Sequence, residues 1–144
     1  MLVYFAPSVV KTFTRHRQRY SRQPESGGVL LGRRRGRHLE IVNATSPFQS
    51  DKRWRTGFVR ERGGHEIEAT RLWFTSGGEI DYLGEWHTHP EALPLPSSVD
   101  RREWRQLTLR PMRSTPLVTA IVGTASLYVA ILTRGNIDPL VRAT

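Results

Sequence analysis

The segment PLVTAIVGTASLYVAILT, residues 116–133, limits the possible folds more than any other part of the chain. It contains two apolar runs, Leu117–Val122 and residues 127–132, split by Gly123 and Thr124. Neither approaches the ~20 apolar residues that span a bilayer. Both have strand length, and a tight turn through Gly123 joins them as a hairpin. A second hairpin is predicted upstream. There GGVLLG gives a short apolar strand over residues 29–32, and RHLEIVNAT alternates over His38–Ala44 behind an arginine turn. Hairpins at both ends of one chain make a purely parallel sheet untenable.

Helical segments separate the hairpins. Residues 2–6, LVYFA, read as a first strand, and Pro7 suits the first turn of a helix carrying Val9, Val10, Phe13 and Tyr20 at near-helical spacing. That helix must end before Pro24. Residues 46–57 read as a loop. HEIEATRLWFTSGG predicts a helix with Ile67, Leu72 and Trp73 inward, stopped by Gly77 and Gly78. Residues 80–89 have strand character, and a helix from Ser97 to about Leu109 is stopped by Pro111. The tail, residues 137–144, is short. The order β-α-β-β-α-β-α-β-β gives an α/β class: a mixed central β-sheet flanked by helices. At 144 residues the chain suits one domain spanning 1–144.

Composition narrows the chemistry. Cysteine is absent, so a metal here must be held by imidazole and carboxylate. The N-terminus lacks the basic start and small-residue cleavage site of a signal peptide, and a cytoplasmic protein is expected. The net charge is +9, from 22 Lys and Arg against 13 acids, and it is densest in GRRRGR, which carries Arg33, Arg34, Arg35 and Arg37. Such a patch is either a solvated hairpin tip or a surface for an anionic partner such as nucleic acid. His16, His38 and His65 lack partners at ligand spacing and read as surface residues, whereas Trp86 and Trp104 read as core.

The chemistry concentrates in GEWHTHPEALPLPSSVDRREW, residues 84–104. Side chains alternate along a strand, so His87 and His89 share one face and Trp86 and Thr88 the other. Pro90 is a poor continuation for a central strand, and Pro94 and Pro96 restrict the connection that follows. Such a connection can return Asp100 over the strand end. His87, His89 and Asp100 then supply three N/O ligands and leave a fourth tetrahedral position for water. Ser97-x-x-Asp100 also has the form of a helix capping box, a role compatible with aiming Asp100 at a metal. Hydrolysis needs a further carboxylate as general base. Glu85, with the parity of the histidines, and Glu25, far upstream, both remain open on these grounds.

His87-Thr88-His89, seven residues, then Ser97-x-x-Asp100 resembles the H-[ST]-H-x7-S-x2-D signature of the JAMM (JAB/MPN+) metalloproteases. The upstream PESGGVLLG resembles the family segment that carries its catalytic glutamate. The resemblance implies a cytidine-deaminase-like JAB/MPN fold, with Zn²⁺ held by His87, His89 and Asp100. It also implies Glu25 as general acid/base, Ser97 as donor to the tetrahedral oxyanion, and Glu85 in an outer role. The chain is similar in size to compact bacterial members, and most resembles those of antiviral operons. Those act on conjugates of a ubiquitin-like protein, or of a cyclic-nucleotide synthase C-terminus, to target lysines. The expected activity is therefore a zinc-dependent isopeptidase. Alternatives are a peptidase trimming a ubiquitin-like or sulfur-carrier precursor, and a nucleic-acid-associated module using the arginine face.

Overall fold

Leu117–Val122 (β7) is buried at all six positions, as an interior strand covered on both faces must be. The computed structural model describes every residue except 21, 48–50, 55–56, 60–61, 112–113 and 143–144, and for residues 52–63 the backbone path alone. The remaining elements are β1 (Val3–Phe5), α1 (Pro7–His16), β2 (Gly27–Arg35), β3 (His38–Ala44), β4 (Lys52–Trp54), β5 (Gly57–Val59), α2 (Arg62–Thr75), β6 (Asp81–Thr88), α3 (Ser98–Thr108), β8 (Leu127–Thr133) and β9 (Asn136–Pro139).

Seven strands form one sheet in the order β1-β3-β2-β6-β7-β8-β9, while β4 and β5 pair separately. The pairs β1–β3 and β6–β7 are parallel and the others antiparallel, giving the expected mixed α/β sheet. Alternation along β7 sends Val118, Ala120 and Val122 to one face, where they pack with Val9 and Phe13 of α1 and with Trp86. Leu117 and Ile121 go to the other, against Trp104 and Leu107 of α3. Trp86 and Trp104 are both core residues, as expected.

Several expectations need correction. The first helix ends at His16, so Tyr20 lies beyond it and is exposed, as is Val10. The chain leaves the helix at Arg17 because the next side chain, Gln18, is drawn inward by hydrogen bonds to Thr88 and to the Gln23 carbonyl. The arginines Arg33, Arg34 and Arg35 continue β2, and the turn falls at Gly36 and Arg37. The supposed loop at 46–57 contains β4 and part of the β4–β5 pair.

In α2 the helix ends at Gly77 and Gly78, as predicted, both at positive φ. Its inward face differs, however: Ile67 is 70% exposed and Trp73 45%. Leu72 faces the protein as predicted, and the stripe continues through His65 and Ala69 rather than through Ile67 and Trp73. His65, expected at the surface, is wholly buried, with Nε2 2.7 Å from Asp51 Oδ2 and Nδ1 2.7 Å from Thr45 Oγ1. A polar ring can occupy that position because both nitrogens have partners. His38 is also engaged, its Nδ1 accepting the Leu2 N–H at 2.8 Å. His16 is half-buried beside Trp86, its ring nitrogens 3.5 Å from Ser26 Oγ and 3.4 Å from Ser46 Oγ.

One irregularity governs what β6 presents. Tyr82 pairs with Leu31 and Gly84 with Leu30, so β6 holds one residue more than its partner there. Gly84 adopts φ +153°, and a Cβ on it would lie 1.7 Å from the Val118 carbonyl oxygen. Beyond this bulge the alternation runs regularly to the end of the strand. Trp86 and Thr88 face the α1 side, and Glu85 and His87 the other.

Candidate metal centre

The C-terminal end of β6 delivers two imidazoles to the α3 face, where the His87 ring lies 6.3 Å from that of Trp104. His89 follows directly, its N–H donating to the Val122 carbonyl at the end of β7. Asp100 arrives from the opposite direction, on the first turn of α3. Its placement is fixed by a complete capping box. The Ser97 N–H donates to Asp100 Oδ2 at 2.9 Å, and the Asp100 N–H donates to Ser97 Oγ at 3.0 Å. Both sequence readings of Ser97-x-x-Asp100 thus describe one geometry: the cap that starts the helix also aims its carboxylate.

The three side chains converge. His87 Nε2 and His89 Nε2 are 3.1 Å apart, Asp100 Oδ1 is 3.4 Å from the former, and Asp100 Oδ2 is 3.3 Å from the latter. Two atoms bound tetrahedrally at about 2.0–2.1 Å from one zinc ion stand about 3.3 Å apart. The observed spacings match that value, and the donor set is the imidazole and carboxylate chemistry that a divalent cation of this type takes. Among the described residues, His87, His89 and Asp100 are the group of His, Asp or Glu whose potential ligand atoms all lie within 4.8 Å of one another. The residues fit a metal.

Glu25 reaches the same place from the neighbouring strand. Gly27 pairs with His87, so the residues just before β2 run beside the end of β6. The Glu25 carboxyl is buried, with Oε1 3.8 Å from His89 Nε2. Glu85 has the parity expected of it, but its Oε1 accepts a hydrogen bond from the Tyr82 hydroxyl at 3.1 Å. Glu91 Oε1 lies 3.8 Å from His89 Nδ1, beyond hydrogen-bond distance. Ser97 is exposed at the rim. Its oxygen accepts from Asp100, which leaves its hydroxyl hydrogen free to be donated.

The charges pull in opposite directions. Burial, with Asp100 and Glu91 nearby, pushes Glu25 up to about 7, against the opposing influence of His87 and His89. Asp100 is also penalised by burial, but hydrogen bonds from His87, His89 and the Ser97 N–H hold it well below the usual carboxylate range. For His89, burial disfavours the charged ring, and Asp100 outweighs it to raise the pKa.

A folded-state pKa raised from 4.5 to about 7 gives a stabilising contribution that is complete below 4.5 and lost as pH rises through 7. Glu25→Gln stays neutral throughout. In metal-stripped protein it should therefore raise the unfolding free energy at pH 8, by on the order of 3 kcal/mol, and leave it nearly unchanged at pH 4.5. Thermal melts of the two proteins at both pH values check this.

The arginine patch is largely committed elsewhere. Arg33 pairs with Glu40 and Glu79, Arg35 pairs with Glu40, and Arg34 donates to the Pro116 and Ser114 carbonyls. No helix among the described residues is long and apolar enough to cross a membrane.

Residues 7–137 match the family described as prokaryotic homologs of the JAB domain, Prok-JAB. The chain belongs to the Prok-JAB family. Its relatives include a CD-NTase/cGAS isopeptidase of Pseudomonas aeruginosa, 43% identical over 131 residues, covering 91% of this chain and 83% of the relative. Another, of the same description, from Escherichia coli, is 37% identical, covering 96% of this chain and 86% of the relative. The solution structure of a Desulfitobacterium hafniense protein superposes with a TM-score of 0.67 at 17% identity, over 97% of this chain and 90% of that one. That likeness concerns the fold. For this Prok-JAB chain, sequence reasoning passed over Gln18, which no motif spacing marks.

Proposed function

We propose that this Prok-JAB chain is a zinc-dependent isopeptidase that cleaves the amide between a conjugated C-terminal tail and a lysine side chain. The observation that carries the reading is the convergence of Glu25 on the site framed by His87, His89 and Asp100. Three ligands hold the ion and leave room for water, and a fourth, buried carboxyl stands at hand to move its proton. Bound there, zinc supplies Lewis-acid chemistry that brings the pKa of water down to about 7.

The chain's own groups supply the rest. Glu25 accepts a proton from the attacking water and passes it to the departing lysine amine. The Ser97 hydroxyl donates to the oxyanion as the scissile carbonyl becomes tetrahedral. The capping box keeps Asp100 in the orientation that binds, and the backbone bond of His89 to the Val122 carbonyl fixes where its ring starts. The similarity to CD-NTase/cGAS isopeptidases supports a CD-NTase as the conjugated partner, and a bacterial antiviral conjugation system is the setting this reading implies.

The test is a purified CD-NTase joined through its C-terminus to a lysine of a carrier protein. Zinc-loaded enzyme should release the intact CD-NTase with a free C-terminal carboxylate. Chelation should stop the reaction and added zinc restore it. A conjugate that survives stoichiometric zinc-loaded enzyme, while an unconjugated precursor tail is trimmed, would replace isopeptide cleavage with precursor processing.

A further inference from the structure

The reverse face of the metal strand carries a buried polar chain that the proposed chemistry does not use. Thr88, between the two histidines, points away from the metal ligands into the layer beneath α1. Its side chain is fully buried. Its hydroxyl accepts the Ser26 N–H at 3.0 Å and donates to Gln18 Oε1 at 2.9 Å. The amide nitrogen of Gln18 donates in turn to the Gln23 carbonyl at 3.0 Å. Gln18 is 3% exposed and Ser26 wholly buried.

These bonds enclose a short stretch of chain. Gln23 and Ser26 are the residues on either side of Pro24-Glu25: the Ser26 N–H is tied directly to the Thr88 hydroxyl, and the Gln23 carbonyl is tied to the same hydroxyl through the Gln18 carboxamide. The Thr88 N–H adds a bond of 2.9 Å to the Ser26 carbonyl. Pro24 has a fixed φ and no N–H, so the carboxyl of Glu25 takes its position from anchors outside its own dipeptide. The orientation of the Gln18 amide follows from its partners. Only the oxygen can accept from the hydroxyl, and only the nitrogen can donate to the carbonyl.

We propose that Gln18 is a positioning residue for Glu25: its carboxamide spans Thr88 and Gln23 and thereby holds the Glu25 segment against the histidine strand. The proposal rests on the reading of Glu25 as the proton-transfer group. Displacing a reacting group by about 1 Å can cost about 100-fold in rate. The site's metal ligands lie outside the chain of bonds, so metal binding should not follow.

The experiment uses Gln18→Met, which keeps the volume and removes both bonds, Thr88→Val, which keeps the shape and removes the hydroxyl, and Thr88→Ser, which restores it. Native-state amide exchange is followed at Ser26, with Val118 and Ala120 of β7 as internal references. Zinc stoichiometry and steady-state cleavage are measured alongside. Loss of Ser26 protection is expected in Gln18→Met and Thr88→Val, with the β7 amides unchanged and one zinc retained. The same two variants should lose about 10- to 100-fold in kcat at constant KM, and Thr88→Ser should behave as wild type.

Ser26 protection equal to wild type in Gln18→Met would overturn the proposal, since Thr88→Val removes the acceptor of the Ser26 N–H itself and only calibrates the loss. So would parallel loss at Ser26 and throughout β7, which marks a merely global destabilisation, or an unchanged kcat despite an opened Ser26. Should the wild type itself cleave no conjugate, the functional reading fails on its own. The exchange data then decide separately whether Gln18 holds the segment.

Discussion

Glu25→Gln should keep its zinc and lose about 10²- to 10⁴-fold in kcat, the usual share of a positioned acid–base group. The carboxyl lies 3.8 Å from His89 Nε2, outside the closer spacing of the three ligand atoms. On the proposed reading it serves water rather than holding the ion. Glutamine fills the same volume and keeps a hydrogen-bonding end, but it cannot accept a proton and return it. Metal analysis together with single-turnover cleavage separates the two roles. Glu85→Gln is the control, since Glu85 shares the strand face but is bonded to Tyr82. An inactive, zinc-loaded Glu85 variant beside an active Glu25 variant would reverse the assignment of the base.

Asp100→Asn should behave in the opposite way, losing the metal. Its carboxylate faces both imidazoles at 3.3–3.4 Å and is held ionised by them, so it brings the negative charge that two neutral imidazoles lack. Outer partners of metal ligands are worth about 10- to 100-fold in affinity. Removing a ligand should exceed that, and zinc affinity should fall by at least about 100-fold, as measured by competition with a chelator. Asparagine is preferred to alanine because it retains an oxygen for the Ser97 N–H. Alanine would also break the capping box, worth about 1 kcal/mol of helix stability, and so confuse metal loss with fraying of α3. Unaltered zinc affinity in Asp100→Asn would remove Asp100 from the ligand set.

The parts of this site that could be read from sequence are the local ones. A period of two placed His87 opposite Trp86 and Thr88, and a four-residue capping pattern placed Asp100 on the first turn of a helix. Each depends on neighbours in the chain. Glu25 lies more than sixty positions from the histidines and joins them only because Gly27 pairs with His87, so residue spacing alone left it level with Glu85. Family resemblance, not geometry, made that choice.

The inward face of α2 was misread for a related reason. Ile67 and Trp73 drew the prediction inward, while the buried position belongs to His65. That histidine is made acceptable by Asp51 and Thr45, from segments whose approach no helical period encodes. The strands β4 and β5 have three residues each, too few for alternation to register. β9 is a four-residue edge strand ending in Pro139, and a proline there signals a chain end more readily than a strand.

The extra residue in β6 has a consequence for the ancestry and redesign of this site. Side chains on a strand have two possible destinations, and a shift of one place exchanges them all. The bulge absorbs such a shift: Tyr82 and Glu85, three places apart, lie on the α3 face together, and with one residue fewer at 84 the pairs Tyr82–Leu31 and Glu85–Val29 would still hold and leave His87 on its present face. A change of one residue is therefore accommodated at the bulge and exchanges the faces elsewhere along the strand, whereas the proline-bearing connection after His89 is free to vary in length so long as the α3 cap still returns its aspartate.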